Sequence, residues 1–452
     1  MGDGQRSPRQ PCLPRHPSGR ETARQALALR RRSPPGGCDR PRLARLAQEQ
    51  RVTAPTTRSR YAVIFFTVLI DLIGFGIVIP ILPVYALRFG AQGIGYGALV
   101  FVFSAMQFLA TALLGRLSDR IGRRPILLAT MVINALGYAL FAFAPSYSVL
   151  FVARVISGFA SGNISAAQAY MADITSPAER ARGMGVIGAA FGIGFVLGPL
   201  IGGLADHYAG HLAPGLIAAG LSVVNFFSAS AILRESLALE HRTARPLFDL
   251  GHMVEALARK TLRPLMLVWL LAPFAFAGYT VALPLHTAKA FAWGARELGW
   301  LFVLIGAIAA LVQGFLFGRI ERYTGARALL IVGLFGMGVS IAALPWVGTS
   351  LLVYAWTVPL AFTNSLFAPA ASGLVSVYAD PTEQGTILGA AQAFAALGRS
   401  VGPLAAGLAY DGLGQRSTFL LAGGVMLLGG VAALWLPKSQ EQRVAGEQAF
   451  NG

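Results

Sequence analysis

Asp71 is an acidic residue in the middle of a long apolar run, Tyr61 to Leu87. Ten residues past Tyr61, at about 1.5 Å each, carry it roughly 15 Å into a hydrocarbon core about 30 Å thick. An ionised carboxylate at that depth costs at least about 2.5–3.5 kcal/mol. The side chain is therefore expected to face protein or water, not lipid, and to carry a proton for part of a working cycle. The structural alternative is a buried Asp held by a neighbouring Arg or by backbone dipoles.

Two further charges sit inside apolar runs, Arg154 and Arg399. A buried guanidinium keeps its proton and must find acceptors. We read Arg154 as a modulator of Asp71 or of a proton path, with a structural cross-link as the alternative. Arg399 is read as a substrate or anion contact, again against a structural role. The polar and aromatic groups Gln107, Asn134, Asn163, Tyr279, Asn364 and Gln392 are candidates to line a cavity together with Arg399, and Asn225 belongs to the same polar set. Each alone is more often an interhelical hydrogen bond. Cys12 and Cys38, the two cysteines, both precede the apolar region, and the spans offer no metal-ligand cluster and no nucleophile–base pair.

The elements that must position these groups follow from composition. Of 452 residues, 55% are apolar and 13% charged, about half the charge of a soluble domain. That is the composition of an all-α, multi-pass membrane protein. Apolar stretches long enough to cross a bilayer recur at roughly 61–87, 95–116, 125–144, 148–172, 183–205, 212–233, 264–287, 297–318, 327–347, 350–378, 385–409 and 417–436. These twelve spans form a first bundle over 61–233 and a second over 264–437, with a linker at 234–263 and a short tail at 438–452.

Residues 1–60 hold 14 Arg, no Lys and four acids within a Pro- and Gly-rich stretch, and read as a disordered arm facing acidic headgroups. With no aromatic residue for stacking, the arm is not expected to bind nucleic acid. Excluding it, the loops on the side of the termini carry 17 Lys and Arg, against four on the opposite side. That imbalance predicts an inner-membrane protein with both termini cytoplasmic.

The halves repeat. Ser176–Ala205 aligns without gaps on Asp380–Ala409 with 11 of 30 positions identical. Six plus six helices with matching loops imply two bundles related by an axis along the membrane normal, with a site between them. The loop after span 2 reads Gly115-Arg-Leu-Ser-Asp119-Arg120-Ile-Gly122-Arg123-Arg124-Pro125. Its glycines suit a tight turn, and its Asp and Arg groups suit helix termini. Span 5 carries Gly194-x-x-x-Gly198-Pro199-x-x-Gly202-Gly203. Small residues four apart let a second helix approach closely.

These segments resemble the major facilitator superfamily. The Gly115–Arg124 loop looks like its signature loop, which in that family latches the two bundles together. The span 5 motif resembles that of drug/proton antiporters. The first span and the Ala172–Arg182 loop are similar to those of the tetracycline/proton antiporters. The resemblance implies proton-coupled export of small hydrophobic or amphipathic compounds by alternating access, through a monomer with no cofactor beyond the proton gradient. Alternatives are a sugar or metabolite exporter, a uniporter, or a membrane sensor that moves nothing. One departure stands out. Tetracycline exporters carry further acids in spans 3 and 9, where this chain has Gly137 and no acid at all.

Overall fold

The computed structural model describes residues 57–176, 179–237, 257, 259, 261–380 and 383–437. Residues 1–56 of the arm, most of the linker and the tail at 438–452 lie outside the described residues, while residues 57–60, read from sequence as the end of a disordered arm, open the first helix of span 1. Those described are helical wherever they are regular. In hydrocarbon, a helix satisfies its backbone groups within its own chain.

Ten helices are long and apolar enough to cross a bilayer. One of them, Ala295–Trp346, has 52 residues, at about 1.5 Å per residue more than two bilayer cores in length. It breaks at Gly325, whose φ of 76° and ψ of 153° leave the helical region, and so forms spans 8 and 9. The thirty-residue helix Gln384–Leu413 is span 11. It packs between spans 2 and 7, so its Gly, Gln and Arg content is not presented to lipid on those faces. Twelve spans result, as expected from sequence. Span 1 differs in detail. It is not one continuous helix but Thr57–Val78 and Leu82–Arg88, interrupted around Pro80.

Each half has its own buried apolar cluster, one built from Ile64 to Leu233 and the other from Leu262 to Leu436. Val281, Leu285, Ala295 and Ala406 of the second half join the first cluster, which marks where the bundles meet.

Glycines show how they meet. Span 5 (Arg180–Ala209) lies between span 1 and span 8. Toward span 1, a Cβ on Gly194 would stand 2.6 Å from Leu72 Cβ, and one on Gly198 2.6 Å from Gly76 Cα. Ordinary carbon contacts are about 3.5–4.0 Å. Toward span 8, a Cβ on Gly203 would meet the Ala295 carbonyl at 2.6 Å, and one on Gly299 the Pro199 carbonyl at 2.7 Å. Span 11 repeats the arrangement, with Gly398 against span 7 and Gly407 against Ile94 Cα of span 2 at 2.7 Å. The Asp411 carboxylate closes that contact by accepting from the Ile94 N–H at 2.7 Å.

All these inter-bundle contacts lie at the membrane side opposite the termini. The same helical stripes continue toward the terminal side through Gly192 and Gly185 on span 5, and Gly389 and Gly385 on span 11. There a Cβ would meet nothing within 4 Å. The bundles touch on the far side and diverge toward the termini.

Candidate functional site

Asp71 stands about two turns before the break in span 1. Both its oxygens are engaged from within the first bundle. Asn163 Nδ2 of span 4 donates to Oδ2 at 2.7 Å, and Asn225 Nδ2 of span 6 donates to Oδ1 at 3.1 Å. Asn225 also donates to the Thr67 carbonyl at 3.0 Å. A carboxylate can only accept, so each amide must offer its nitrogen.

The positions of these partners have local causes. Span 4 is interrupted between Tyr147–Ala160 and Ile164–Ile174 by a tight turn at Ser161–Asn163. Ser161 Oγ donates back to the Ser157 carbonyl at 2.8 Å, a bond that bends helices. At Gly162 the helix nearly touches span 2, where a Cβ would lie 2.6 Å from Ala110. That approach turns Asn163 toward span 1. Tyr138 of span 3, fully buried and with no partner for its hydroxyl among the described residues, packs against Gly74 one turn after Asp71. Sequence reading missed Tyr138. Its signal would have been Gly74, which leaves room for the ring.

Asn225 ties span 6 to two successive turns of span 1, at Thr67 and Asp71, so its loss is costly. A hydrogen bond to a charged group contributes about 1.5–3 kcal/mol. Asn225→Ala is expected to lower the melting temperature of the purified protein, with an unchanged melting curve as the contrary result.

Arg154 is not paired with Asp71. Its guanidinium lies 4.1 Å from the centroid of the Phe103 ring, and its Nε points at the Leu99 carbonyl at 3.5 Å. Phe103 stacks on Phe75 at 5.2 Å, and Phe75 meets Phe195 edge-on at 5.7 Å. Arg154 therefore backs an aromatic group and does not act on Asp71 by contact. Its cation–π geometry is within the usual reach of about 6 Å.

The remaining candidates separate. Asn134 and Tyr279 are buried within their own bundles, each with a side-chain oxygen lacking a partner among the described residues, and Tyr279 packs between Phe276 and Phe419. They do not line an opening. Gln107 and Asn364 are half-buried, whereas Gln392 and Arg399 are exposed on span 11. Two open recesses of about 560 and 330 Å³ lie at the far side around Arg88, and Asp71 lines neither.

The loop expected to latch the bundles together closes instead on the first half. Gly122 turns at φ 112°. Arg123 binds Asp119 at 2.6 Å, Asp173 at 3.2 Å and Ser118 Oγ at 2.6 Å. The Glu235 carboxylate accepts from the Arg123 and Arg124 backbone N–H groups at 2.8 and 3.2 Å, capping span 3. Gly115 lies against Ser165 of span 4, and Arg120 is exposed. With the bundles apart on this side, no described residue of the second half is within reach of the loop's hydrogen bonds or ion pairs. On the second half, Arg259 binds Glu383 at the start of span 11 at 2.5 Å. That guanidinium holds the exposed Glu383 carboxyl below its usual range. The tie is thus complete above the ordinary carboxylate range and is lost as pH falls through the lowered value.

Two six-helix bundles, meeting on one side of the membrane and parted on the other, with polar groups at half depth, define an integral membrane transporter fold. A sequence model of the Major Facilitator Superfamily matches residues 64–322 and again 265–451. The chain belongs to that family. It is 32% identical over 448 residues to major facilitator superfamily domain-containing protein 10 of Homo sapiens, covering 87% of this chain and 95% of that protein. It is 30% identical over 350 residues to the class C tetracycline resistance protein of Escherichia coli, covering 76% of this chain and 87% of that protein. Among solved structures, the human organic anion transporter MFSD10 (TETRAN) matches with a TM-score of 0.63 at 28% identity, over 84% of this chain and 100% of that one. A point mutant of the nucleoside transporter NupG matches with a TM-score of 0.69 at 12% identity, over 84% of this chain and 100% of that one, a likeness of fold alone.

Proposed function

We propose that this transporter exports small hydrophobic or amphipathic compounds in exchange for protons, by alternating access, with Asp71 carrying the proton. The observation that supports this reading most is the setting of Asp71. It is the one acidic side chain at half depth in the membrane among the described residues, and it ties spans 1, 4 and 6 together. Protonation makes one of its oxygens a donor. The amide contact to the protonated oxygen is then weakened, since that oxygen loses its charge and becomes a poorer acceptor, so the charge on Asp71 is linked to how these three spans pack.

The parted terminal side is, in this reading, the cytoplasmic entrance. Small-molecule cargo enters there, protons enter from the opposite side, and the Gly203–Ala295 and Gly407–Ile94 contacts must part to release cargo. No cofactor is needed beyond the proton gradient, and one copy of the chain with its surrounding lipids suffices. Gly115, Asp119, Arg120, Gly122, Arg123 and Arg124 would engage the second bundle only once the terminal side closes. The helix 5 motif of Gly194, Gly198, Pro199, Gly202 and Gly203 would act as the seal between span 1 and span 8. The tetracycline resistance relatives and the organic anion transporter support cargo of this general kind. Gly137 argues against tetracycline itself, since a Cβ there would already stand 2.5 Å from Ser157 Oγ.

The test is transport by the purified chain in liposomes. Uphill accumulation of a fluorescent amphipathic compound is expected when a pH gradient is imposed. Movement that only equilibrates, whatever the gradient, would favour the uniporter reading.

A further inference from the structure

The repeat that relates span 5 to span 11 fails at one informative position. Gly194-Phe195 in the first half corresponds to Gly398-Arg399 in the second. The two glycines play equivalent parts, Gly194 against span 1 and Gly398 against span 7. Phe195 and Arg399, one step further round each helix, therefore project in equivalent directions from opposite walls.

On span 5 that direction is the short arc between the face packed on span 1 and the face packed on span 8. Phe191, Phe195 and Gly188 occupy it. Large apolar residues such as Ile193 and Leu197 occupy the opposite, exposed arc, as lipid contact requires. On span 11 the short arc holds Arg399 and Gln392, the repeat partner of Gly188. Both are exposed. A guanidinium at half depth facing acyl chains is strongly unfavourable, which places it on the parting between the bundles. Among the described residues Arg399 has neither an ion pair nor a side-chain hydrogen bond. Asp71, the acid at similar depth, is committed to Asn163 and Asn225.

The wall opposite is aromatic. Phe195 meets Phe75 at 5.7 Å and Phe191 at 6.4 Å, and Phe75 stacks on Phe103. Phe195 keeps 38% of its surface accessible, so the group presents a face and is not a closed core.

We infer that Arg399 is the anion subsite of this parting: it holds the acidic group of cargo of the organic-anion kind for which the solved relative is named, with the cargo's flat apolar body laid against Phe195 and its neighbours. An unpaired guanidinium needs planar acceptors and matches a carboxylate or sulfonate bidentately. Ring faces offset or edge-on to one another supply contact area for an aryl body. The inference rests on the transport reading above and assigns the charge and shape that the site selects.

Binding to the purified full chain tests it with matched pairs: benzoate, naphthoate and naphthalenesulfonate against their neutral methyl esters. Wild-type protein is expected to prefer each anion. Arg399→Gln should weaken the anions by about 10–100-fold while leaving the esters nearly unchanged. Arg399→Lys should restore part of the preference, which a variant that merely misfolds would not do. Phe195→Ala should weaken anion and ester alike by about 3–10-fold, preserving their ratio. An anion-to-ester ratio unchanged in Arg399→Gln overturns the assignment, as does wild-type protein that binds none of the anions. Anion selectivity without proton-driven accumulation would remove the antiport reading and leave this one standing.

Discussion

Asp71→Asn should reduce pH-driven accumulation of cargo to nothing while leaving the protein folded. One pH unit corresponds to about 1.4 kcal/mol, so exchange of one proton per cargo molecule supports about tenfold accumulation. In the variant that ratio should fall to about one. Asn is nearly isosteric with Asp, and either Asn163 or Asn225 can turn its carbonyl toward the new amide, so packing among spans 1, 4 and 6 survives. Facilitated equilibration should continue, because the substitution leaves the cargo walls untouched. Accumulation near tenfold in the variant would show that the exchanged proton travels elsewhere.

The second large effect is expected at the span 1–span 5 contact. Gly198→Leu would bring side-chain atoms against backbone, since even a Cβ there lies 2.6 Å from Gly76 Cα and 2.8 Å from the Ile73 carbonyl. Overpacking a close contact costs about 1–3 kcal/mol when side chains can move aside, and backbone cannot. The yield of folded protein should collapse. Gly188→Leu, on the same helix but where nothing lies within 4 Å of a Cβ, should stay within about 0.5 kcal/mol of wild type. Size-exclusion profiles and melting curves of the two variants distinguish them. Equal damage at both positions would mean that the bundles do not part on the terminal side.

Much of this architecture is legible in the sequence because lipid imposes a simple rule on length and polarity. The spans, and the need for Asp71 to face protein and not lipid, follow from it. Asn163 and Asn225 are legible only as polar residues in apolar runs. Nothing in their spacing shows that both turn toward one carboxylate, which depends on the Ser161–Asn163 interruption and on the placement of span 6. Arg154 misleads for a related reason. Its charge invites pairing with the nearby acid, whereas the turn it occupies directs it over Phe103. Tyr279 and Asn134 look like cavity groups but face their own bundles, since a helix interior to a bundle has two apolar faces that composition does not separate. The loop around Asp119 and Arg123 illustrates a further gap. Its residues are readable, but their spacing does not show that they bind Asp173 and Glu235 of the first half and not the second bundle.

Arg399 is the opposite case. The repeat draws attention to it, because a position that is apolar Phe195 in one half is a charged group inside a span in the other. The structure adds that Arg399 is accessible and unpaired among the described residues, and that the equivalent place on the facing wall is aromatic.

The most direct test of the account counts protons. Cargo added to purified, weakly buffered protein should release about one proton per molecule of wild-type chain, and none from Asp71→Asn at the same occupancy. Equal release from the two proteins would contradict Asp71 as the coupling group.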